Sequence, residues 1–152
     1  MTTLHLTCPS SGAIQAAVPY LHVADVEHSL AFYATLGFTP GDRVSNPLGR
    51  TVWASALSQK AVIFFAQASA GIIPEQQAAL LYLYSNDVAA LRSHLLAAGL
   101  HDGGPFNGGP NHLLPNNGRR VAFHLAHPFY MPKGELRVAD PDGYTLLIGQ
   151  RA

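Results

Sequence analysis

The first third of the chain changes from a two-residue spacing of apolar positions to a helical spacing and back again. Residues 16–23 alternate as a strand does, whereas the apolar residues within 26–36 recur as they do on one face of a helix. Asp25 occupies the N-cap position of that helix, and Gly37 follows its C-cap. The pattern predicts the order β-α-β-β-β, with the later strands at residues 38–43, 51–58 and 61–66.

The same order of segments begins again 62 residues later. Residues 25–38 match residues 87–100 without a gap, and residues 61–67 match residues 144–150 at a larger shift of 83. Two matches in the same order indicate an internal duplication. We therefore predict a single α+β domain of two βαβββ modules in tandem. Its predicted parts are an N-terminal extension (1–15) and a domain over 16–150, divided into module one (16–67) and module two (79–150).

The larger second shift places extra residues in the middle of module two, at residues 101–133. Between residues 101 and 120, twelve of the twenty are Gly, Pro or Asn, a composition typical of a loop. Long loops in compact domains are usually functional lids or mobile segments. Part of this one is a candidate for ligand contact, and the stretch 120–129 adds either a short strand or a helical turn.

Composition narrows the classes of function. Of the 152 residues, 48% are hydrophobic, enough for a sizeable core, and 12% are charged, against about 25% in typical soluble domains. Nine basic side chains balance nine acidic ones. The apolar content excludes intrinsic disorder. The lack of a basic excess argues against nucleic-acid binding.

The expected location of the protein follows from three features of the sequence. Its apolar runs are shorter than the roughly 20 residues that cross a bilayer, so we expect no membrane association. The first twenty residues hold no Lys or Arg, so we expect no secretory signal. Cys8 is the only cysteine, and a free thiol suits a reducing compartment. These features predict a cytoplasmic protein.

Two segments carry a resemblance to a known family. The helix that runs from Asp25 to the Leu-Gly-Phe sequence at 36–38 resembles the first module of the vicinal oxygen chelate superfamily, and residues 135–144, ELRVADPDGY, resemble its closing hairpin. That superfamily includes glyoxalase I, fosfomycin resistance proteins, extradiol dioxygenases and bleomycin resistance proteins. The resemblance covers residues 16–150 and implies the glyoxalase/bleomycin resistance fold, in which cupped antiparallel sheets enclose a ligand cavity.

The enzymes of this superfamily hold a divalent metal through four positions, two in each module. By resemblance, those positions fall here on four apolar residues, Val18, Phe64, Leu80 and Leu147. A divalent ion needs oxygen, nitrogen or sulfur ligands, which these side chains do not offer. We therefore expect no metal and no cofactor at the usual site. This expectation places the chain nearest the metal-free branch typified by bleomycin resistance proteins.

The eight histidines leave a second possibility, a metal site built from other residues. His124 and His127 share a face on a helix but not on a strand, and neither belongs to a zinc motif such as HExxH. Together with His22 and Glu135 they are the alternative ligand set, which would suit a metal-dependent lyase, isomerase or dioxygenase of the same superfamily.

Strand alternation selects the residues of a candidate ligand pocket. If Val18 points into the cup, Tyr20 and His22 point the same way. The same rule applied to the other strands gives aromatic walls with few polar groups, which is the usual composition of a pocket for an organic ligand. The predicted pocket residues are Val18, Tyr20, His22, Trp53, Phe64, Leu80, Tyr82, Tyr84, Glu135, Arg137 and Leu147.

Several of these residues have a structural alternative. His22 either meets a polar group of the ligand or is a hydrogen-bonded structural histidine. Trp53 either joins the pocket wall or packs in the core. Glu135 and Arg137 share one face of a strand, and either orient a polar ligand or form an exposed pair worth less than about 1 kcal/mol.

The leading hypothesis is a metal-independent protein that sequesters a hydrophobic or aromatic compound. Known binders of this type act as dimers with sites between two chains, so the resemblance implies a homodimer. Bleomycin itself is disfavoured, because it is cationic and only Glu135 brings negative charge near the expected cavity. The alternatives are the metal enzyme above and a regulatory module that binds a partner through its sheets. No nucleophile elbow or phosphate loop appears in the sequence.

Overall fold

Two α-helices and nine strands form two mixed sheets in the part of the chain that the computed structural model describes, residues 8–106 and 120–151. Short 3-10 turns lie at Ser10–Gly12 and Pro74–Gln76. In chain order the elements are β1 (Tyr20–Val23), α1 (Val26–Ala34), β2 (Thr39–Ser45), β3 (Thr51–Ser58), β4 (Ala61–Gln67), β5 (Leu80–Ser85), α2 (Val88–Ala97), β6 (His101–Asp102), β7 (Val121–Ala122), β8 (Glu135–Ala139) and β9 (Thr145–Gln150).

The sheets confirm the predicted α+β fold of two related modules. Sheet one has the strand order β1-β4-β3-β2, and sheet two has the order β5-β9-β8-β7-β6. In each sheet the first strand of the module runs parallel to the last one, and the last two strands form an antiparallel hairpin. Sheet two differs from the four-strand expectation, because the short strand β7 lies between β6 and β8.

The predicted helix boundaries are confirmed at their N-termini. The side chain of Asp25 accepts a hydrogen bond from the His28 backbone N–H at 2.9 Å, and that of Asp87 accepts one from the Ala90 N–H at 3.0 Å. Each carboxylate thus satisfies a donor that the first helical turn leaves without a partner. Gly37 has a φ of 95°, a conformation open to glycine at little cost, which explains why the first helix ends before it.

The first predicted strand is longer than the observed one. Residues 16–23 alternate in the sequence, but β1 begins only at Tyr20. Val18 lies two residues before it and is partly buried. Pro19 contributes its carbonyl to the Phe64 N–H at 2.9 Å but has no N–H of its own to extend the ladder. Val18 is therefore not part of the regular alternation from which its direction was predicted.

The core lies where the two helices meet one face of each sheet. Leu21, Val23 and Phe65 of sheet one and Leu146 of sheet two are at most 5% exposed, and they belong to a single hydrophobic cluster with Tyr33 of α1. Residues that alternate with them point away from this cluster. Burial of one face alone fixes the register of each strand, because a shift of one residue would expose the whole apolar set.

One turn joins the two modules. The residues that link β8 to β9, called here the 140–144 turn, pack against α1 and the end of β1. Asp142 accepts a hydrogen bond from the Ala24 N–H at 2.8 Å, and the Ser29 hydroxyl lies 3.4 Å from the other oxygen of that carboxylate. The Tyr144 hydroxyl donates to the carbonyl of His22 at 2.8 Å. The Asp-Pro-Asp-Gly sequence therefore does more than reverse the chain, since it ties module two to module one.

No helix in the described part of the chain is both long enough and apolar enough to span a membrane.

Candidate ligand-binding site

The face of each sheet that points away from the core is rich in exposed aromatic side chains. Tyr20 is 53% exposed on sheet one, and Tyr82 and Tyr84 are 40% and 53% exposed on sheet two. They alternate with buried Leu21 and Leu81, as the two-residue period of a strand requires. The strand alternation on which the pocket prediction depends is thus present in β1 and β5.

On sheet one, four of the predicted residues form an aromatic cluster. The Trp53 ring lies 5.0 Å from the Phe64 ring, measured between centroids, and the Tyr20 ring meets Phe64 edge-on at 6.0 Å. His22 continues the cluster, with its ring 5.9 Å from that of Tyr20. Trp53 alternates with the buried Ala54, so its side chain belongs to this face rather than to the core. The cluster offers flat apolar surface together with one imidazole.

On sheet two, Tyr82 and Tyr84 line a groove at the edge of strand β5. Their rings lie 5.3 Å apart, and the Arg151 guanidinium lies 4.1 Å from the centre of the Tyr84 ring. The groove has a volume of about 870 Å³ and runs between β5, α2 and the turn that joins β3 to β4. Gln59 and Lys60 of that turn form its opposite wall.

Glu135 is held by two tyrosine hydroxyls. Tyr82 donates to one carboxylate oxygen at 2.7 Å, and Tyr130 donates to the other at 3.3 Å. Gly149, the register partner of Glu135, makes room for this contact, since a Cβ there would lie 2.8 Å from the Tyr82 hydroxyl oxygen. Burial, and then the hydrogen bond to Glu135, raises the pKa of Tyr82 well above that of a free tyrosine. Both hydroxyls therefore keep their protons at neutral pH and act as donors.

Beside Glu135 lies a cavity of about 450 Å³. Arg137 lines this cavity, and its guanidinium carbon lies 3.8 Å from the centre of the Phe106 ring. Phe106 in turn meets Phe123 edge-on at 5.1 Å. Burial lowers the pKa of Arg137, although a guanidinium keeps its charge throughout the physiological range. The lining residues are Pro105, Phe106, His124, Leu125, Ala126, Pro128, Tyr130, Glu135, Arg137 and Leu147.

An ion-pair cluster supports one rim of this cavity. Arg92 of α2 contacts Asp102 at 2.8 Å, and the His124 Nε2 lies 3.5 Å from the same carboxylate oxygen. The Gly104 N–H also donates to Asp102, and this bond is the main cause of the lowered pKa of that carboxyl. The cluster fixes residues 102–104 beside Phe123, so it positions the segment that carries Phe106.

The structure divides the predicted pocket residues among three places instead of one cup. Tyr20, His22, Trp53 and Phe64 lie in the sheet-one cluster. Tyr82 and Tyr84 line the groove, whereas Glu135, Arg137 and Leu147 line the cavity. Leu80 is 40% exposed at the start of β5, and Val18 precedes β1. The hydrogen bond from Tyr82 to Glu135 connects the residues of the groove with those of the cavity.

Two residues beside Arg137 carry no signal that sequence reasoning could use. Phe106 and Tyr130 lie in the irregular segment between β6 and β8, which has no apolar period to assign a direction. The predicted loop of residues 101–133 begins with strand β6 and also contains β7, and its residues 107–119 lie outside the described part of the chain.

The residues at the usual metal positions do not fit a metal ion. Val18, Phe64, Leu80 and Leu147 have no side-chain atom that can act as a ligand. Across residues 8–106 and 120–151, no three His, Cys, Asp or Glu side chains group closely enough to hold an ion. That part of the chain includes the alternative set His22, His124, His127 and Glu135. Its His127 contacts the Pro132 carbonyl at 3.1 Å through Nδ1.

Comparison with known proteins gives a match over most of the chain. Residues 13–148 match the family model described as "Glyoxalase/Bleomycin resistance protein/Dioxygenase superfamily". Among curated proteins, none matches the chain at a significant level.

Several solved structures share the fold at low sequence identity. A bleomycin resistance determinant encoded on transposon Tn5 has a TM-score of 0.66 at 20% identity, over 91% of this chain and 98% of that one. The bleomycin-binding protein of Streptomyces verticillus, complexed with copper(II)-bleomycin, has a TM-score of 0.63 at 17% identity, over 92% and 98%. An antibiotic binding protein from Streptomyces sp. CB03234 has a TM-score of 0.54 at 21% identity, over 92% and 99%.

Proposed function

Because the chain belongs to the Glyoxalase/Bleomycin resistance protein/Dioxygenase superfamily, we propose that it binds a hydrophobic or aromatic small molecule and sequesters it without a metal or cofactor. The fold neighbours include proteins described as binding bleomycin or another antibiotic, which supports a binding role over a catalytic one. An antibiotic or an aromatic metabolite is the class of ligand that this role implies.

The observation that carries the proposal is the chemistry of four positions. Where the metal enzymes of the superfamily are expected to place ligands, this chain has Val18, Phe64, Leu80 and Leu147. Phe64 packs against Trp53, and Leu147 lines the cavity. Burial of such apolar surface against an apolar ligand favours binding by about 25 cal/mol per Å² removed from water.

We propose that the ligand is held between two protomers, with aromatic contact from sheet one of one protomer and polar contact from sheet two of its partner. Tyr20 and Phe64 offer rings, and His22 offers a hydrogen-bonding group beside them. Glu135 and Arg137 supply the charged groups of the cavity. This arrangement of a mainly apolar wall with a few placed polar groups is typical of sites for organic ligands.

We also propose that the protein acts as a homodimer. Tyr20, Leu80 and Tyr84 lie on the outer faces of the sheets and are between 40% and 53% exposed in one chain. Exposed apolar patches of this kind mark surfaces that a partner or a ligand covers. Light scattering coupled to size exclusion is expected to give twice the monomer mass of 16.2 kDa, and the monomer mass would contradict the dimer. Leu80→Glu is expected to weaken the dimer, whereas Leu48→Glu, at the exposed tip of a hairpin, is the matched control.

Trp53 offers a direct test of binding, because it is the only tryptophan and lies in the sheet-one cluster. Aromatic compounds are expected to quench its fluorescence and to raise the melting temperature, and sugars of similar size are expected to do neither. Phe64→Ala and Leu147→Ala are expected to weaken binding roughly tenfold through lost apolar contact. Leu48→Ala is the control. The proposal fails if no aromatic compound changes either signal.

Metal content tests the second part of the proposal. Protein purified without a His-tag is expected to hold far less than one equivalent of Zn, Ni, Fe or Mn. A stoichiometric metal would replace the proposal with the alternative, a metal-dependent lyase, isomerase or dioxygenase. A cytoplasmic location belongs to the proposal as well, and the free, exposed thiol of Cys8 suits it.

A further inference from the structure

We propose that the groove beside β5 is a second binding site, and that it takes a phenolic compound. The ring of this ligand fills a space that a tyrosine side chain of the same chain fills in the other half of the repeat. Its hydroxyl donates to a backbone carbonyl at the edge of sheet two. The inference goes beyond the proposed function, because the residues that line this groove are not those that line the cavity beside Glu135.

Tyr144 shows what fits against the edge of a first strand. It directly precedes β9 and is 6% exposed, and its hydroxyl donates to the His22 carbonyl at 2.8 Å. His22 belongs to β1, which lies at the edge of sheet one. The phenol ring therefore closes the space between the hairpin of module two and the first strand of module one, and its hydroxyl satisfies a carbonyl at that edge.

Ala61 takes the place of Tyr144 in the other half of the repeat, at the shift of 83. Each of the two stands two residues before a buried residue of its strand, Ile63 or Leu146, and each packs at the hydrophobic core cluster. Both therefore point to the core side of their sheets. An alanine in place of a tyrosine lacks a whole ring, which leaves room for one aromatic ring between Ala61 and β5.

The groove has the apolar floor that a ring requires. Leu36, Leu83 and Leu91 line it and are only partly buried, although they pack against the core cluster. Leu21 is the repeat equivalent of Leu83, and it is only 5% exposed in the half that contains Tyr144. The difference indicates apolar surface that the ring of a ligand would remove from water, and such burial favours binding.

The edge of β5 supplies the acceptor for the hydroxyl. The Ser85 carbonyl accepts the Arg151 N–H at 2.9 Å, so it points toward β9. Because carbonyls of successive strand residues point to opposite sides, the Tyr84 carbonyl points to the outer edge of sheet two, which faces the groove. It is the equivalent of the His22 carbonyl that accepts the Tyr144 hydroxyl. A phenol bound here repeats that hydrogen bond, whereas an ether of the same shape cannot donate it.

The test uses p-cresol, which is the side chain of tyrosine as a free molecule, and its methyl ether 4-methylanisole. In a proton–nitrogen correlation spectrum, p-cresol is expected to shift the backbone amide signals of Tyr84 and Asn86, both in the groove, until the site is saturated. The ether is expected to bind about fivefold to tenfold more weakly, the value of one neutral hydrogen bond. The indole signal of Trp53 reports separately on the sheet-one cluster.

Ala61→Tyr returns the missing ring to the chain itself. It is expected to fill the groove and to weaken the binding of p-cresol there by at least about tenfold, without changing the response of Trp53. Ala97→Tyr adds the same side chain at an exposed position of α2, and as the control it is expected to keep the wild-type affinity. Ala61→Leu fills part of the same space and is expected to weaken binding by about threefold. It serves as the second variant if the tyrosine variant does not fold.

The outcomes separate the inference from the proposed function. The inference is wrong if p-cresol leaves the signals of Tyr84 and Asn86 unshifted, if p-cresol and its ether bind equally in the groove, or if Ala61→Tyr binds p-cresol as wild type does. In each of these cases a response of Trp53 to aromatic compounds leaves the proposed function standing. Binding in the groove without any response of Trp53 would contradict the proposed function alone.

Discussion

The hydroxyl of Tyr33 donates a hydrogen bond to the carboxylate of Asp140 at 2.8 Å, and both residues are completely buried. Tyr33 belongs to α1 in module one, whereas Asp140 opens the turn that closes module two. The second oxygen of Asp140 accepts the backbone N–H groups of Asp142 and Tyr144, each at 2.9 Å. A single buried acid therefore holds the turn in shape and joins it to the helix of the other module.

Removal of the Tyr33 hydroxyl tests this connection. Tyr33→Phe keeps the ring in the core but leaves one oxygen of Asp140 without its donor. A buried polar atom that loses its partner costs about 1–3 kcal/mol of the free energy of unfolding. Urea unfolding measures the change, and Tyr20→Phe, whose ring is half exposed, is the control expected to change it little. Equal stability of the two variants would contradict the role of the bond.

The pH dependence of stability follows from the same acid. Burial raises the pKa of Asp140 to about 7, against about 3.9 in an unfolded chain. Between about pH 4 and pH 7 the folded protein keeps the Asp140 carboxyl protonated, whereas the unfolded chain loses that proton. The contribution of Asp140 to the free energy of unfolding therefore falls as the pH rises through this range.

Asp140→Asn is expected to remove this contribution, so its stability relative to wild type should increase by about 1 kcal/mol per pH unit between pH 5 and 7. Urea unfolding at several pH values measures the difference. Asp42→Asn, at an exposed position, is the control. A difference between Asp140→Asn and wild type that stays constant over this range would show that the acid is ionised throughout.

Gly143 is expected to tolerate no side chain. Its φ is 88°, and a Cβ would collide with the backbone carbonyl of Pro74, which cannot move as a flexible side chain can. Gly143→Ala is therefore expected to cost about 2–4 kcal/mol, from the unfavourable φ and the collision together. Thermal unfolding measures the loss. Gly71→Ala, with no atom within 4 Å of the added carbon, should leave stability almost unchanged.

The hydrogen bond from Tyr82 to Glu135 is expected to contribute to the free energy of unfolding. Tyr82→Phe removes a donor at 2.7 Å from a nearly buried carboxylate, for an expected loss of about 1–3 kcal/mol. Tyr84→Phe is the matched control on the same face of β5. Comparable losses in the two variants would place the effect in the strand rather than in the hydrogen bond.

The sequence predicted the parts of the fold that depend on local chemistry. Asp25 and Gly37 mark the helix ends because a carboxylate caps free N–H groups and glycine accepts a positive φ at little cost. The repeat then predicted the second module. The stretch 120–129 was predicted to add a short strand or a helical turn, and the structure has the short strand β7 there; its two residues, Val121 and Ala122, are too few to carry a period that would decide between the two.

For the candidate site, side-chain directions could be predicted only on regular strands. Alternation predicted that Tyr20 and Tyr82 lie on the face opposite Leu21 and Leu81, as they do, because successive side chains of a strand point to opposite sides. It failed to place Val18, which precedes a strand shortened at Pro19. It also gave no position for Phe106, whose place against Arg137 depends on contacts between distant segments that only folding creates.

The 140–144 turn also has a counterpart in the duplicated sequence. Four of the residues that make its polar contacts with module one have equivalents beside one groove in the other half of the chain. By the two repeat shifts, the equivalents of Ala24, Ser29, Asp142 and Tyr144 are Asn86, Leu91, Gln59 and Ala61. All four equivalents line the open groove beside β5. The two halves of the repeat therefore differ here, since one set of residues joins the modules by hydrogen bonds and the equivalent set lines a groove. Substitutions at the closed set are therefore expected to lower the free energy of unfolding, whereas substitutions at the open set are expected to change mainly the surface of the groove.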